Sequence, residues 1–114
     1  MGDRGTVVMQ KQGGSDICFY SHWGASELPQ TVASALERGR GRWDDEPYLN
    51  RIVFSEMIQD NVMSETGFGI STSISFDSWR NVYVNHDTKS VRVDDLDMEW
   101  DFERFIIAFL RVRA

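Results

Sequence analysis

The stretch Phe19-Tyr20-Ser21-His22-Trp23-Gly24 decides the reading of this chain: a strand runs into a turn that carries aromatic and imidazole side chains, and a helix opens just beyond it. Working outward, residues 5–11 hold Val7, Val8 and Met9 in a second strand pattern. Gln12-Gly13-Gly14-Ser15 separates the two, and glycine supplies the positive φ that tight hairpins need. The expectation is an N-terminal β-hairpin, with Ile17 and Phe19 on one face of its second strand and Cys18 and Tyr20 on the other. Downstream of Gly24, Ser26 stands as a candidate N-cap and Pro29 in the first turn, where a missing N–H costs little. Leu28, Val32, Ala35 and Leu36 recur at helical spacing until Gly39.

Asp44-Asp45-Glu46-Pro47 predicts a second helix start, with acids at the positive end of the helix dipole and proline near the first position. This helix runs to about Asn61, with Leu49, Ile52, Val53, Met57 and Ile58 as its buried stripe. Arg51, Ser55 and Gln59 share a different, polar face, so Arg51 is either a ligand contact or a surface arginine paired with Glu46 or Glu56. Residues 67–76, 81–85 and 90–93 read as three strands, the last two joined by a turn at 86–89, and short connections make them a three-stranded antiparallel meander. The two helices then cover one face. Five acids between Asp94 and Asp101 precede Phe102, Phe105, Ile106 and Phe109, whose spacing predicts a C-terminal helix capped by acids; a buried final strand over 105–110 stays open as the alternative. The expected class is α+β, in one domain spanning 1–114.

At 114 residues with 41% apolar content, one hydrophobic core is affordable and two are not. The longest apolar run, 105–110, falls far short of the roughly 20 residues that span a bilayer, and the first residues open no signal-peptide pattern, so a cytoplasmic protein without membrane attachment is expected. The single Cys18 suits a reducing compartment. A net charge of −6 argues against binding long nucleic acid. Within the twelve basic residues, ten are Arg, the better bidentate partner for phosphate and carboxylate. His22 and His86 are the only imidazoles, and neither stands at a metal-binding or triad spacing, so neither catalysis nor a cofactor is expected.

What the composition does supply is aromatic planes and guanidinium groups, the residue types that stack on bases and hold phosphates: Tyr20, His22, Trp23, Phe68, Phe76, Trp79, Arg51 and Arg104. Against this, aromatics dominate small cores, so Trp23, Phe68 and Phe76 also fit simple packing roles. Phe19-Tyr20-Ser21-His22-Trp23-Gly24, Gly39-Arg40-Gly41-Arg42-Trp43-Asp44-Asp45, Tyr48-Leu49-Asn50-Arg51-Ile52 and Glu65-Thr66-Gly67-Phe68-Gly69-Ile70 resemble a small phage and prophage family, the Thoeris anti-defence sponges. Those proteins sequester cyclic ADP-ribose signals and, in some members, cyclic oligonucleotides.

The resemblance covers about residues 17 to 93. It implies a non-catalytic binder of a cyclic nucleotide second messenger, acting in the host cytoplasm as a homo-oligomer, dimer or hexamer, with the ligand held between subunits. It further implies ligand contacts at Arg51, Phe76, Asn85 and Arg104, with Phe68, His86 and Arg92 as neighbouring alternatives to the last three. Two other functions compete: an anti-CRISPR-like inhibitor that binds a host protein through the acidic 94–101 surface, and a hydrolase of the same messengers using His22 as acid or base.

Overall fold

The structure, a computed structural model, describes residues 2–110. Six strands form one sheet in the order β3-β2-β1-β4-β5-β6, and three helices pack on one of its faces. The strands are β1 Gly5–Gln10, β2 Ile17–Ser21, β3 Phe68–Ser71, β4 Arg80–Asn85, β5 Ser90–Val93 and β6 Met98–Asp101. The helices are α1 Leu28–Arg38, α2 Glu46–Ile58 and α3 Phe102–Phe109. Among the described residues, no helix is long and apolar enough to cross a membrane.

The hairpin forms as its composition requires. β1 and β2 pair antiparallel from Gly5↔Ser21 to Met9↔Ile17, and Gly13 takes a φ of 78° in the turn, where a side chain would be strained. Alternation divides the sheet. Val7, Met9, Phe19, Val82, Val84, Val91 and Val93 face the helices and form the core with Leu28, Val32, Leu36, Leu49, Val53, Phe102 and Phe105. α1 lies in the middle of the helical layer and contacts both α2 and α3. Gly39 closes α1, its N–H bonding to Ala35 O at 2.8 Å, and the Asp101 carboxylate caps α3 by accepting from Arg104 N at 2.7 Å.

The predicted meander is corrected in its membership. Residues 67–76 do not neighbour β4: the strand ends at Ser71 and lies at the far edge beside β2, with Phe19↔Ile70 and Ser21↔Phe68 in register. β4 instead pairs parallel with β1, from Gly5↔Arg80 to Gln10↔Asn85, and this is the one parallel pair in an otherwise antiparallel sheet. The antiparallel meander is β4-β5-β6, one strand later than expected.

A parallel pairing needs a return crossing, and residues 72–79 make it over the face opposite the helices. They are held there by Thr6 Oγ1 to Ser78 Oγ at 2.8 Å, by Trp79 N to Arg4 O at 3.0 Å and by the Arg4–Asp77 ion pair. The C-terminal alternatives also resolve: the acidic run supplies β6, and the Phe102, Phe105, Ile106 stripe is a helix, so three helices cover the sheet rather than two. The acids are largely used at home. Asp94 accepts from Asn81 N at 2.8 Å, Asp95 pairs with Arg80, Asp101 caps α3, and Glu99 accepts from Ser90 Oγ at 3.2 Å.

His86 is buried at the mouth of the β4–β5 turn, with Nε2 at 2.8 Å from Asn50 Oδ1 and Nδ1 without a partner. Burial pushes its pKa below the ordinary value, with smaller opposing contributions from Glu46 and Asp87. A histidine depressed in the folded state is taken up by protons first in the unfolded chain, so stability is full above about pH 6.5 and falls as pH drops toward the folded value. Unfolding midpoints measured between pH 7.5 and 5 should therefore decline, and His86→Leu should flatten that decline. An unchanged profile in the variant would assign the dependence elsewhere.

Candidate functional site

Two of the concavities that border β3 open on its helix-covered side, and a third, of about 220 Å³, lies by Tyr20, Gly69 and Ser71. The larger of the first two is a groove of about 500 Å³ between α2 and the β2–β3 edge. Phe19 from β2 and Phe54 from α2 meet at its floor, ring centroids 5.0 Å apart and tilted 45°, with Ile17 and Ile58 beside them. Asn50, Arg51 and Ser55 stand on its helical rim, and Val62 and Ile70 on the other side. Phe54 reaches the same side of α2 as Arg51 because residues three apart on a helix are neighbours.

The rim groups are not equally free. Asn50 is engaged by His86, and Ser55 Oγ bonds to Ile52 O at 2.9 Å and receives Arg38 Nη2 at 2.9 Å. Arg51 is exposed and has no ion pair among the described residues, whereas Glu46 is taken by Lys11 and Glu56 by Arg38. Eight of the ten arginines are described, since Arg111 and Arg113 lie outside the described residues, and six of the eight hold carboxylates: Arg4, Arg38, Arg40, Arg42, Arg80 and Arg104. A seventh, Arg92, stacks 4.1 Å from the Tyr83 ring. Arg51 alone is left with neither carboxylate nor ring.

The smaller of those two is a slot of about 230 Å³ bounded by the Ser21–Gly24 turn, the start of α1, the end of α2 and Phe68. Leu28, Met57 and Phe68 give it an apolar floor, and Ser21, Thr31, Asn61, Ser64 and Thr66 a polar rim. Its turn is rigidly built. His22 N donates to Gly67 O at 2.9 Å, His22 Nδ1 sits 3.0 Å from Tyr20 OH, and the imidazole meets the Trp23 ring edge-on at 4.4 Å. Gly67 has φ 95°, and a Cβ there would come within 3.0 Å of Trp23 Cζ3, so only glycine lets the indole lie against that backbone.

The seven residues predicted as ligand contacts are thus dispersed in one chain. Trp23 and Phe68 share the slot, with His22 behind Trp23, and Arg51 belongs to the neighbouring groove. Phe76 stands 99% exposed on the 72–79 crossing. Asn85 is spent on its own turn, Oδ1 accepting from Asp87 N at 2.9 Å and Thr88 N at 3.0 Å, and Arg104 sits exposed on α3 beside Asp101. Phe54, which forms half of the groove floor, was missed because the apolar stripe of α2 was drawn through Leu49, Ile52, Val53, Met57 and Ile58; its spacing of three from Arg51 was the available signal.

Among the described residues no cluster of three or more His, Cys, Asp or Glu is assembled to hold a metal ion. Sheet and helices together define an α+β fold, a mixed six-stranded sheet covered on one face, with an arginine-rimmed aromatic groove at one edge. Neither protein-family models, nor curated proteins, nor solved structures give a match to this chain.

Proposed function

We propose that this protein binds and sequesters a small cyclic nucleotide, a cyclic ADP-ribose isomer or a cyclic oligonucleotide, without cleaving it. The observation that carries the reading is Arg51, the one described arginine with no internal partner, standing at the rim of a groove floored by Phe19 and Phe54. A ring-lined wall takes the face of a base or sugar by burial and stacking. A guanidinium without a carboxylate takes phosphate oxygens in a bidentate pair. Trp23 and Phe68 in the adjoining slot offer a second surface for a ligand larger than one ring. A setting in phage anti-defence belongs to the same proposal and rests on the motifs quoted for the resemblance. The reading assigns no bond-breaking role to any residue; His22 Nδ1 lies beside Tyr20 OH and His86 Nε2 beside Asn50 Oδ1.

The purified protein is incubated with a panel of cyclic nucleotides and cyclic ADP-ribose isomers, freed of unbound ligand and denatured, and the released material is identified by mass spectrometry. Intact ligand is the expected result. Converted ligand would make the protein a hydrolase, and recovery of none would turn the search to protein partners. Arg51→Ala should weaken binding roughly 10- to 100-fold, the value of a hydrogen bond to a charged group, with an unchanged melting temperature. Unaltered affinity would remove the groove from the reading.

A further inference from the structure

β6 is the outer strand at the end of the sheet away from the groove, and its register defines a free side. Phe102 N donates to Lys89 O at 2.9 Å just past the strand, so in the same antiparallel ladder Trp100 and Met98 turn their backbone groups toward β5. Glu99 N–H and C=O and Asp101 N–H therefore point outward, and among the described residues no strand pairs with them. An unpaired row of this kind is a template for an added strand. Its two faces differ. Met98 and Trp100 lie on the helix-covered side, Met98 52% exposed and Trp100 half-buried against Phe105 and Phe109. Glu99 and Asp101 lie on the other.

Charge says what such a strand must carry. Six acids and no base stand from Asp94 to Glu103. Arg80 holds Asp95 and Arg40 holds Glu103, but along the strand itself Asp97 and Glu99 have no ion pair among the described residues, and Asp101 has only the exposed Arg104 at 3.6 Å. We propose that β6 is a docking edge for an extended basic segment of a partner protein, which adds to the sheet as a seventh strand. The segment's backbone meets Glu99 and Asp101, and alternate Lys or Arg side chains lie opposite those two carboxylates. The apolar residues between them fall on the helix-covered side, where they cover Met98 and continue the packing of Trp100. Complementarity of charge selects this occupant: a second copy of the edge and a nucleic acid both bring the same negative sign that Asp97, Glu99 and Asp101 repel. The inference is independent of the ligand reading, because the Arg51 groove lies at the β3 end of the sheet.

A short peptide alternating lysine and valine is the probe, with one alternating glutamate and valine as its control. In isotope-labelled protein the lysine peptide should shift the amide resonances of Glu99 and Asp101 and slow their exchange with solvent, and the glutamate peptide should leave both unchanged. Binding should weaken as salt is raised. Glu99→Lys should weaken it roughly 3- to 10-fold, the worth of turning an exposed attraction into a repulsion, with an unchanged melting temperature. Absence of binding by the lysine peptide, equal binding of the two peptides, or full affinity in Glu99→Lys would each overturn the proposal. So would binding that leaves the Glu99 and Asp101 amides exchanging freely, since that is charge attraction without an added strand.

Discussion

Phe105→Ala is expected to lower the free energy of unfolding by about 3–5 kcal/mol, a large share of the roughly 5–15 kcal/mol that holds a domain together. Phe105 is fully buried, and its ring meets Trp100 at 5.5 Å and Phe109 at 4.7 Å. Trp100 in turn is registered against Val91 on β5, so one aromatic group joins α3 to the outer strands. α3 has eight residues, too few to be helical in water on its own, and its order comes from this packing. Truncation would remove the transfer energy of the ring and leave a void that a single short helix cannot collapse to fill. Denaturant titration followed by tryptophan fluorescence should show a lower midpoint at unchanged slope. Ile107→Ala, at a position 75% exposed on the same helix, should stay within about 0.5 kcal/mol. A loss below about 1 kcal/mol for Phe105→Ala would separate α3 from the core.

Elements whose signal is local were legible from the residues. The hairpin announces itself by paired glycines between apolar runs, and α1 and α2 by apolar spacing, Pro29, Pro47 and a closing Gly39. What was not legible is pairing between segments far apart. Nothing near Val82 or Val84 says that β4 will lie parallel to Val7 and Met9 rather than beside residues 67–76, because both are alternating strands and only the whole layer decides their neighbours. The Ser71–Phe76 run alternates as a strand does, yet alternation is equally served by a crossing whose hydroxyls bond within the segment: Ser71 Oγ donates to Ser73 O, and Ser75 Oγ to Asp77.

The site divides in the same way. Arg51 was identified as a presented side chain from its helix face, and its lack of a partner follows only once Glu46 and Glu56 are seen bound to Lys11 and Arg38. Asn85 and Arg104 each suit a ligand by residue type, but local geometry uses the first to build a turn and sets the second on the far side of the helical layer.

Asp95→Ala should cost about 1–2 kcal/mol, between the value of an exposed pair and that of a buried one, because the Arg80 side chain is mostly covered while Asp95 stays open to water. Arg80 opens β4 opposite Gly5, with its side chain only 12% exposed. Nε and Nη2 hold the two Asp95 oxygens at 2.7 and 2.8 Å, while Nη1 reaches Ala25 O at 3.2 Å and the guanidinium lies 4.6 Å from the Trp79 ring. One fork therefore ties the start of β4, the turn before α1 and the turn before β6. Without Asp95 the cation loses its bidentate partner and keeps backbone carbonyls, the Trp79 ring and the more distant charges of Asp3 and Asp94, so the partly desolvated charge dominates the cost.

The consequence is a sign that simple contact counting would miss: Arg80→Met combined with Asp95→Ala should be less damaging than Asp95→Ala alone, since the stranded charge is gone. The Arg80 hydrogen bonds also hold the Asp95 carboxyl below its ordinary pKa. Its contribution is accordingly complete above about pH 4 and lost as pH falls through the depressed folded value. Thermal unfolding of the two variants and the unaltered chain at pH 7 and pH 3 measures both effects. If the double variant is less stable than Asp95→Ala, Arg80 contributes through packing and its carbonyl bonds rather than through the pair.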